Sequence, residues 1–460
     1  MKRLAASPAL IVYAVCAGAL VGFAPLQVHW DLGWQLPLGE AVLDGHGLLT
    51  RLGAETFTAA GAPWTAQEWL FSTAFAAAHR AGLDAAFMGA VGVVAALALA
   101  VLAWTTAERR GGSVAVCLAT FAATVAMLGG LSVRAQVIAW LPFALVMHAL
   151  ARRRPWWAVP AVIVWCNVHA SGVLGPALVG LYAAGRTLET RRLDADARTG
   201  WYATGACALA TLATPLGWRL PAYAWMLFTS PIRAGIDEWQ SAFSFPMMQF
   251  WYVAVPLVGV TAVAVARRRA GLPERLILVA LFALTMSAVR NIPLFVMAAA
   301  PLCAALFPAG VANAAPQRGR ALVTRLASLV ALAAAFQAAA GGAFGPRDRA
   351  PDPAAALARV LEVPGRHRLF CGNFGWCSGV LGSGRVQVFL DGRCDPYPPA
   401  IWDEYERIVH AGPGWNETLA RRGVDLVLVD RRRPFARALR GSHAWRVAFD
   451  DGRLQLFRRS

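Results

Sequence analysis

Long apolar runs recur along this chain from residue 8 to about residue 307, and no other feature constrains its fold as strongly. They fall in the range of roughly 20 residues that a helix needs to cross hydrocarbon, where every backbone N–H and C=O must be satisfied within the segment. Hydrophobic residues make up 58% of the 460 and charged residues only 15%, less charge than a soluble domain carries. The runs predict a mainly α protein, a polytopic transmembrane helical bundle. The formal net charge of +17 suggests nucleic acid at first sight. The arginines at 152–154 and 267–269 lie between apolar runs, however, where they act as topology signals, so no nucleic-acid role follows.

Charge also sets the expected path. Lys2 and Arg3 hold the N-terminus in the cytoplasm, and residues 8–26 read as an uncleaved first helix because no small-x-small cleavage site precedes His29. Residues 29–66 then form a large first outer loop. The stretch at 66–81, opened by Thr65 as an N-cap, lies along the interface without spanning. Were it a span, the arginine clusters would face outward. Spans follow at 84–106, 113–131, 136–150, 156–170, 172–188 and 199–215, then 248–266, 272–289, 291–308 and 320–342, about eleven in all. A second outer loop covers 216–247.

The transmembrane domain is thus expected over 1–342, a linker over 343–352 and an extracytoplasmic domain over 353–460. Helical patterns at 353–362, 399–411 and 414–422 alternate with strand-like runs at 386–390, 424–429 and 453–457, which predicts a small C-terminal α/β soluble domain. Cys16, Cys117, Cys166, Cys207 and Cys303 sit in apolar segments as small core residues. Cys371, Cys377 and Cys394 crowd into the tail with no CxxC pair of zinc spacing. In an outer tail a disulfide can form, with Cys371–Cys377 the first choice.

The first outer loop is rich in carboxylates and tryptophans, with Asp31, Glu40, Asp44, Glu55 and Glu68 close to Trp30, Trp34, Trp64 and Trp69. Several tryptophans argue for a folded loop. On the same expected face lie Arg134, Gln136, Asn167, His169, Asp237, Glu238, Arg290 and Asn291. Ionisable groups at membrane depth are expensive and face a cavity or a partner. Each also has a plainer role. Asp31 would be a solvated loop residue, Arg134 a partner of a loop carboxylate or lipid headgroup, Arg290 an interfacial anchor, His169 a hydrogen-bonded helix-end residue, and Asp237 or Glu238 caps. Glu68 would complement a helix dipole, and the tryptophans would be belt residues.

With its first span, a long outer loop opening on WDLGW, a non-spanning helix, many spans and an outer soluble tail, the chain resembles the GT-C superfamily of integral-membrane glycosyltransferases. The strings GAPWTAQEWL, SVRAQ, WCNVHASG and VFLDGRCDPY further resemble uncharacterised bacterial members. The resemblance implies a bacterial inner-membrane enzyme that takes a sugar from a polyprenyl-phosphate-linked donor within membrane lipid and passes it to an acceptor that the sequence does not name. It implies Asp31 as general base, with Glu68 and His169 as further catalytic candidates. Arg134 and Arg290 would hold the phosphate, with Trp34, Gln136, Asn167, Glu238 and Asn291 as substrate contacts. The tandem acidic pair of better-known members is missing. No cofactor and no metal ligand is assigned, although a divalent metal is compatible with the chemistry. A non-catalytic assembly or scaffold protein and a lipid or solute transporter are the alternative readings.

Overall fold

The computed structural model describes residues 8–109, 113–230, 232, 235–241, 251–266, 270–304 and 352–460. The expected span at 320–342, most of the linker at 343–352 and the arginines at 267–269 lie outside them. The chain divides into two compact units, Met1–Val28 with Asp84–Ala343 and His29–Leu83 with Phe344–Ser460.

Helix α1 (Pro8–Phe23) is followed by α2 (Leu32–Leu43) and α3 (Trp69–Arg80), which belong to the second unit. The first unit resumes with α4 (Asp84–Glu108), α5 (Ser113–Gly130), α6 (Ala135–Ile138), α7 (Trp140–Ala151), α8 (Ala158–Val168), α9 (Leu174–Thr190) and α10 (Ala195–Ala210). After α11 (Arg219–Thr229) come α12 (Trp251–Ala266), α13 (Leu272–Ser287) and α14 (Ile292–Ala304). Among the described residues, Ala9–Leu26, Asp84–Glu108 and Ser113–Gly130 are long and apolar enough to cross a membrane, and four further apolar helices are shorter. The protein is mainly helical, with a small C-terminal sheet.

Local chemistry explains how the bundle closes. In α4, Thr105 and Thr106 donate their hydroxyls to the carbonyls of Val101 and Leu102, so neither hydroxyl is stranded in apolar surroundings. A Cβ on Gly92 would lie 2.7 Å from the Cα of Val21, so only glycine lets α4 approach α1 so closely. The apolar stretch after residue 155 breaks at His169, which is extended with φ −157° and ψ 140°. Gly172 then lies against Cys166, where a Cβ would come within 2.6 Å of its backbone nitrogen. The second outer loop is not all loop. Helix α11 buries Leu220 and Tyr223 and leaves Trp225 and Phe228 exposed, a pattern suited to an interfacial helix.

In the second unit the tail comprises α15 (Ala354–Glu362), β1 (His367–Cys371), α16 (Phe374–Cys377), β2 (Val386–Val388), α17 (Pro399–Val409), α18 (Trp415–Arg421), β3 (Leu426–Asp430), α19 (Pro434–Arg440), β4 (Trp445–Asp450) and β5 (Leu454–Arg459). The five strands form one sheet in the order β2-β1-β3-β5-β4, parallel among β2, β1 and β3 and antiparallel from β3 to β5 and β4. Strands β1 and β4 are additions to the expected set. HRLFC is buried at all but one position, so it lacks the alternation that marks a half-exposed strand. The tail contains a Cys371–Cys377 disulfide, the pair expected, and Cys394 keeps its thiol, which donates to Gly392 O at 3.3 Å.

The first loop is built onto this tail. Val388 of the edge strand β2 donates its N–H to Glu55 O at 2.8 Å and accepts from Phe57 N at 3.3 Å, which covers the open edge. Helices α2 and α3 pack so tightly that a Cβ on Gly39 would meet Ser72 O at 2.0 Å. The expected Thr65 cap is not used. Helix α3 starts at Trp69 with Glu68 at the N-cap position, where its carboxylate makes no capping bond and accepts from Gln35 and Gln67.

Candidate functional site

The candidate residues fall into two groups, one in each unit. In the first unit, Arg134 precedes α6 and Arg290 sits in the short turn Val289–Asn291 between α13 and α14. Glu238 bridges them, its Oε2 2.7 Å from Arg134 Nη1 and its Oε1 2.9 Å from Arg290 Nη1. Arg290 Nη2 also donates to Gln136 Oε1 at 2.6 Å, and its guanidinium lies 4.4 Å from the ring centre of Trp239. Both arginine side chains are largely buried, at 16% and 11% exposure, so their positive charge is concentrated away from bulk water. The charges of Arg290, Arg134 and Glu238 all act on His169, whose Nδ1 accepts from Ser171 N at 3.0 Å.

Asn167 and Asn291 have other duties in this structure. Asn167 Nδ2 donates to Ile163 O and Ala213 O, both at 2.8 Å, and so ties α8 to the segment after α10. Asn291 Nδ2 donates to Leu284 O at 3.2 Å, holding the turn before α14.

The second unit holds Asp31, Trp34 and Glu68. Asp31 begins α2 with its side chain only 7% exposed. Trp34 Nε1 donates to Asp31 Oδ1 at 3.2 Å, and His29 Nδ1 lies 3.2 Å from Oδ2. Trp34 in turn meets Trp64 edge to face at 5.6 Å. Glu68, also buried, accepts from Gln67 at 2.8 Å and from Gln35, and so joins the two helices of the first loop.

A third cluster escaped the sequence reading. Arg393 donates through Nε to Asp391 Oδ1 at 2.9 Å, through Nη2 to Oδ2 at 2.7 Å and through Nη1 to Glu55 Oε1 at 3.1 Å. Tyr397 donates its hydroxyl to Asp391 Oδ2 at 2.6 Å, and Asp391 is fully buried. Burial alone would lower the Arg393 pKa, but the Asp391 carboxylate overrides it and moves it upward, so the guanidinium stays charged. Burial and then the Asp391 charge hold the Tyr397 phenol well above its ordinary value. The one available signal was the run DGRCDPY, where acids, an arginine and a tyrosine interleave directly after a buried strand.

Among the described residues no group of three or more His, Cys, Asp or Glu could hold a metal ion.

No protein-family model matches the chain, and no curated protein sequence does. Solved structures do. The oligosaccharyltransferase AglB from Archaeoglobus fulgidus, in complex with an inhibitory peptide and a dolichol-phosphate, is similar with TM-score 0.61 and 11% identity, over 92% of this chain and 69% of its own. ArnT from Cupriavidus metallidurans, bound to undecaprenyl phosphate, gives TM-score 0.57 and 14% identity over 98% of each chain. The mycobacterial arabinofuranosyltransferase AftD gives TM-score 0.54 and 18% identity over 97% of this chain and 41% of that one. At these identities the likeness is one of fold, and this chain shares its fold with these three solved structures.

Proposed function

We propose that the protein is a bacterial inner-membrane glycosyltransferase that moves a sugar from a polyprenyl-phosphate donor to an acceptor on the extracytoplasmic face. About eleven spans and an extracytoplasmic tail complete this reading. The observation that carries it is the convergence of Arg134 and Arg290 on the carboxylate of Glu238. Two largely buried guanidiniums from separate segments make a strong phosphate receptor, because each offers a fork of donors to phosphate oxygens. Structures of similar fold bound to dolichol-phosphate and to undecaprenyl phosphate support the same ligand class.

In this reading Arg134 and Arg290 bind the donor phosphate and stabilise the charge it gains as the glycosidic bond breaks. Gln136 and Trp239 keep Arg290 aimed. Asp31 takes the proton of the acceptor hydroxyl, and Trp34 and His29 fix its orientation. His169 and Glu68 support their respective groups. A single displacement at the anomeric carbon inverts its configuration.

The test measures release of undecaprenyl phosphate from a panel of undecaprenyl-phosphate sugars, with cell-envelope extract as acceptor. Asp31→Asn keeps size and most hydrogen bonding and should lower turnover at least about a hundredfold. Arg134→Ala and Arg290→Ala should also weaken binding of undecaprenyl phosphate, while Arg153→Ala should not. Wild-type turnover in Asp31→Asn would sink the base assignment, and unaltered binding in both arginine variants would sink the phosphate site.

A further inference from the structure

The backbone of the tail lies directly against Asp31. A Cβ on Gly392 would fall 2.9 Å from Asp31 Oδ1, 3.0 Å from Ser378 Oγ and 3.5 Å from Trp34 Cδ1. Position 392 therefore has no room for a side chain while the carboxylate keeps its place. Gly392 itself is fixed, since its N–H donates to Ser378 Oγ at 3.0 Å and Ser378 is fully buried. The Ser378 backbone also receives α2, because a Cβ on Gly33 would meet Ser378 O at 2.3 Å. On its other side Gly392 is bracketed by Asp391 and Arg393, whose fork closes the turn. Arg393 reaches the first loop through Glu55 and lies 5.3 Å from the ring centre of Trp64. Trp64 packs on Trp34, which donates to Asp31. The circuit Asp31, Trp34, Trp64, Arg393, Gly392 and back to Asp31 is closed.

We infer that Gly392 and Arg393 are positioning residues for Asp31, so that a turn of the C-terminal tail completes the site of the general base. The inference rests on the reading of Asp31 as that base. Gly392 supplies a flat wall against which the carboxylate is held, and Arg393 holds that wall in register with the tryptophans of the first loop. Neither residue touches substrate. Their contribution is to keep the carboxylate in one orientation, which governs proton transfer more than donor binding.

The experiment compares Gly392→Ala with Gly441→Ala in the full-length protein in membranes, using the same panel of undecaprenyl-phosphate sugars. A Cβ at Gly441 meets nothing closer than 3.6 Å, so Gly441→Ala should behave as wild type. Gly392→Ala should lower kcat about tenfold or more with the donor KM unchanged, since the phosphate contacts are untouched. If Gly392→Ala does not accumulate, Arg393→Lys takes its place. It keeps the charge but cannot fork to Asp391 while reaching Glu55, and kcat should fall several-fold at constant KM. Wild-type kcat in the variant measured, or a raised KM with kcat intact, overturns the inference. Asp31→Asn separates the two failures. If it is inactive while Gly392→Ala is normal, only the positioning role is lost, whereas a fully active Asp31→Asn removes the base reading itself.

Discussion

At the residue scale, Asp391 and Arg393 are the most committed pair in the tail. Asp391 is fully buried, and its oxygens accept from Arg393 three times, once from its backbone N–H, and from Tyr397 once. Such a pair gains little over apolar packing, but removing one partner strands a buried charge at a cost of about 3–5 kcal/mol. Arg393→Met should therefore lower the unfolding midpoint of the tail markedly in thermal denaturation. Tyr397→Phe deletes one bond to a charged acceptor and should cost about 1.5–3 kcal/mol. A midpoint for Arg393→Met within a degree of wild type would contradict the buried pairing. At this scale the sequence was partly legible. Arg134, Gln136, Glu238 and Arg290 stand out because charged and polar residues are rare beside apolar runs, and the structure brings these four together. The Arg393–Glu55 pair was hidden because 338 positions separate its members, and no local pattern reports so distant a contact. Asn167 and Asn291 stand out for the same rarity, yet their amides serve backbone carbonyls.

At the element scale, the first loop contains more order than its composition announces. Helix α2 carries Pro37 and two glycines, which lowers its intrinsic helix propensity, so packing against α3 has to hold it. The buried Gln35–Glu68 bond and the close approach at Gly39 supply that packing. Gly39→Val should separate the helices, expose the loop and raise its sensitivity to limited proteolysis, whereas Gly441→Ala, whose Cβ would meet nothing closer than 3.6 Å, should leave α3 undisturbed. Equal cleavage in the two variants would argue against the helix pair. The same logic explains why β1 was missed and β3 was found. LVLVD follows helix α18 with a clean turn, while HRLFC reads as an undistinguished run until its neighbours on both sides are known.

At the scale of the whole molecule, the pattern of apolar runs predicts a helical membrane fold, and the three long apolar helices and the fold shared with three solved structures agree. The number of crossings is harder to read, because several apolar helices are shorter than a span and one continuous stretch is broken at His169. Reporter fusions address this directly. Fusions after Arg154 should read cytoplasmic, and fusions after Ala60 or at Ser460 should read external. A cytoplasmic reading at Ser460 would place the tail on the wrong side for the proposed chemistry.

Under the proposed function, the carboxylate of Glu238 occupies the arginines that a donor phosphate would use. An incoming phosphate would then evict an internal anion, and the evicted anion would stand ready to reclaim the arginines after transfer. Such an exchange trades grip for release, since the spent lipid phosphate leaves against a competitor that is always present at high local concentration. Glu238→Gln removes the competitor's charge while keeping its shape. It should tighten binding of undecaprenyl phosphate and slow its dissociation, so that turnover falls through product retention and a burst of product precedes the steady state. Weaker binding in Glu238→Gln would instead make Glu238 a brace that the arginines need in order to stay aimed.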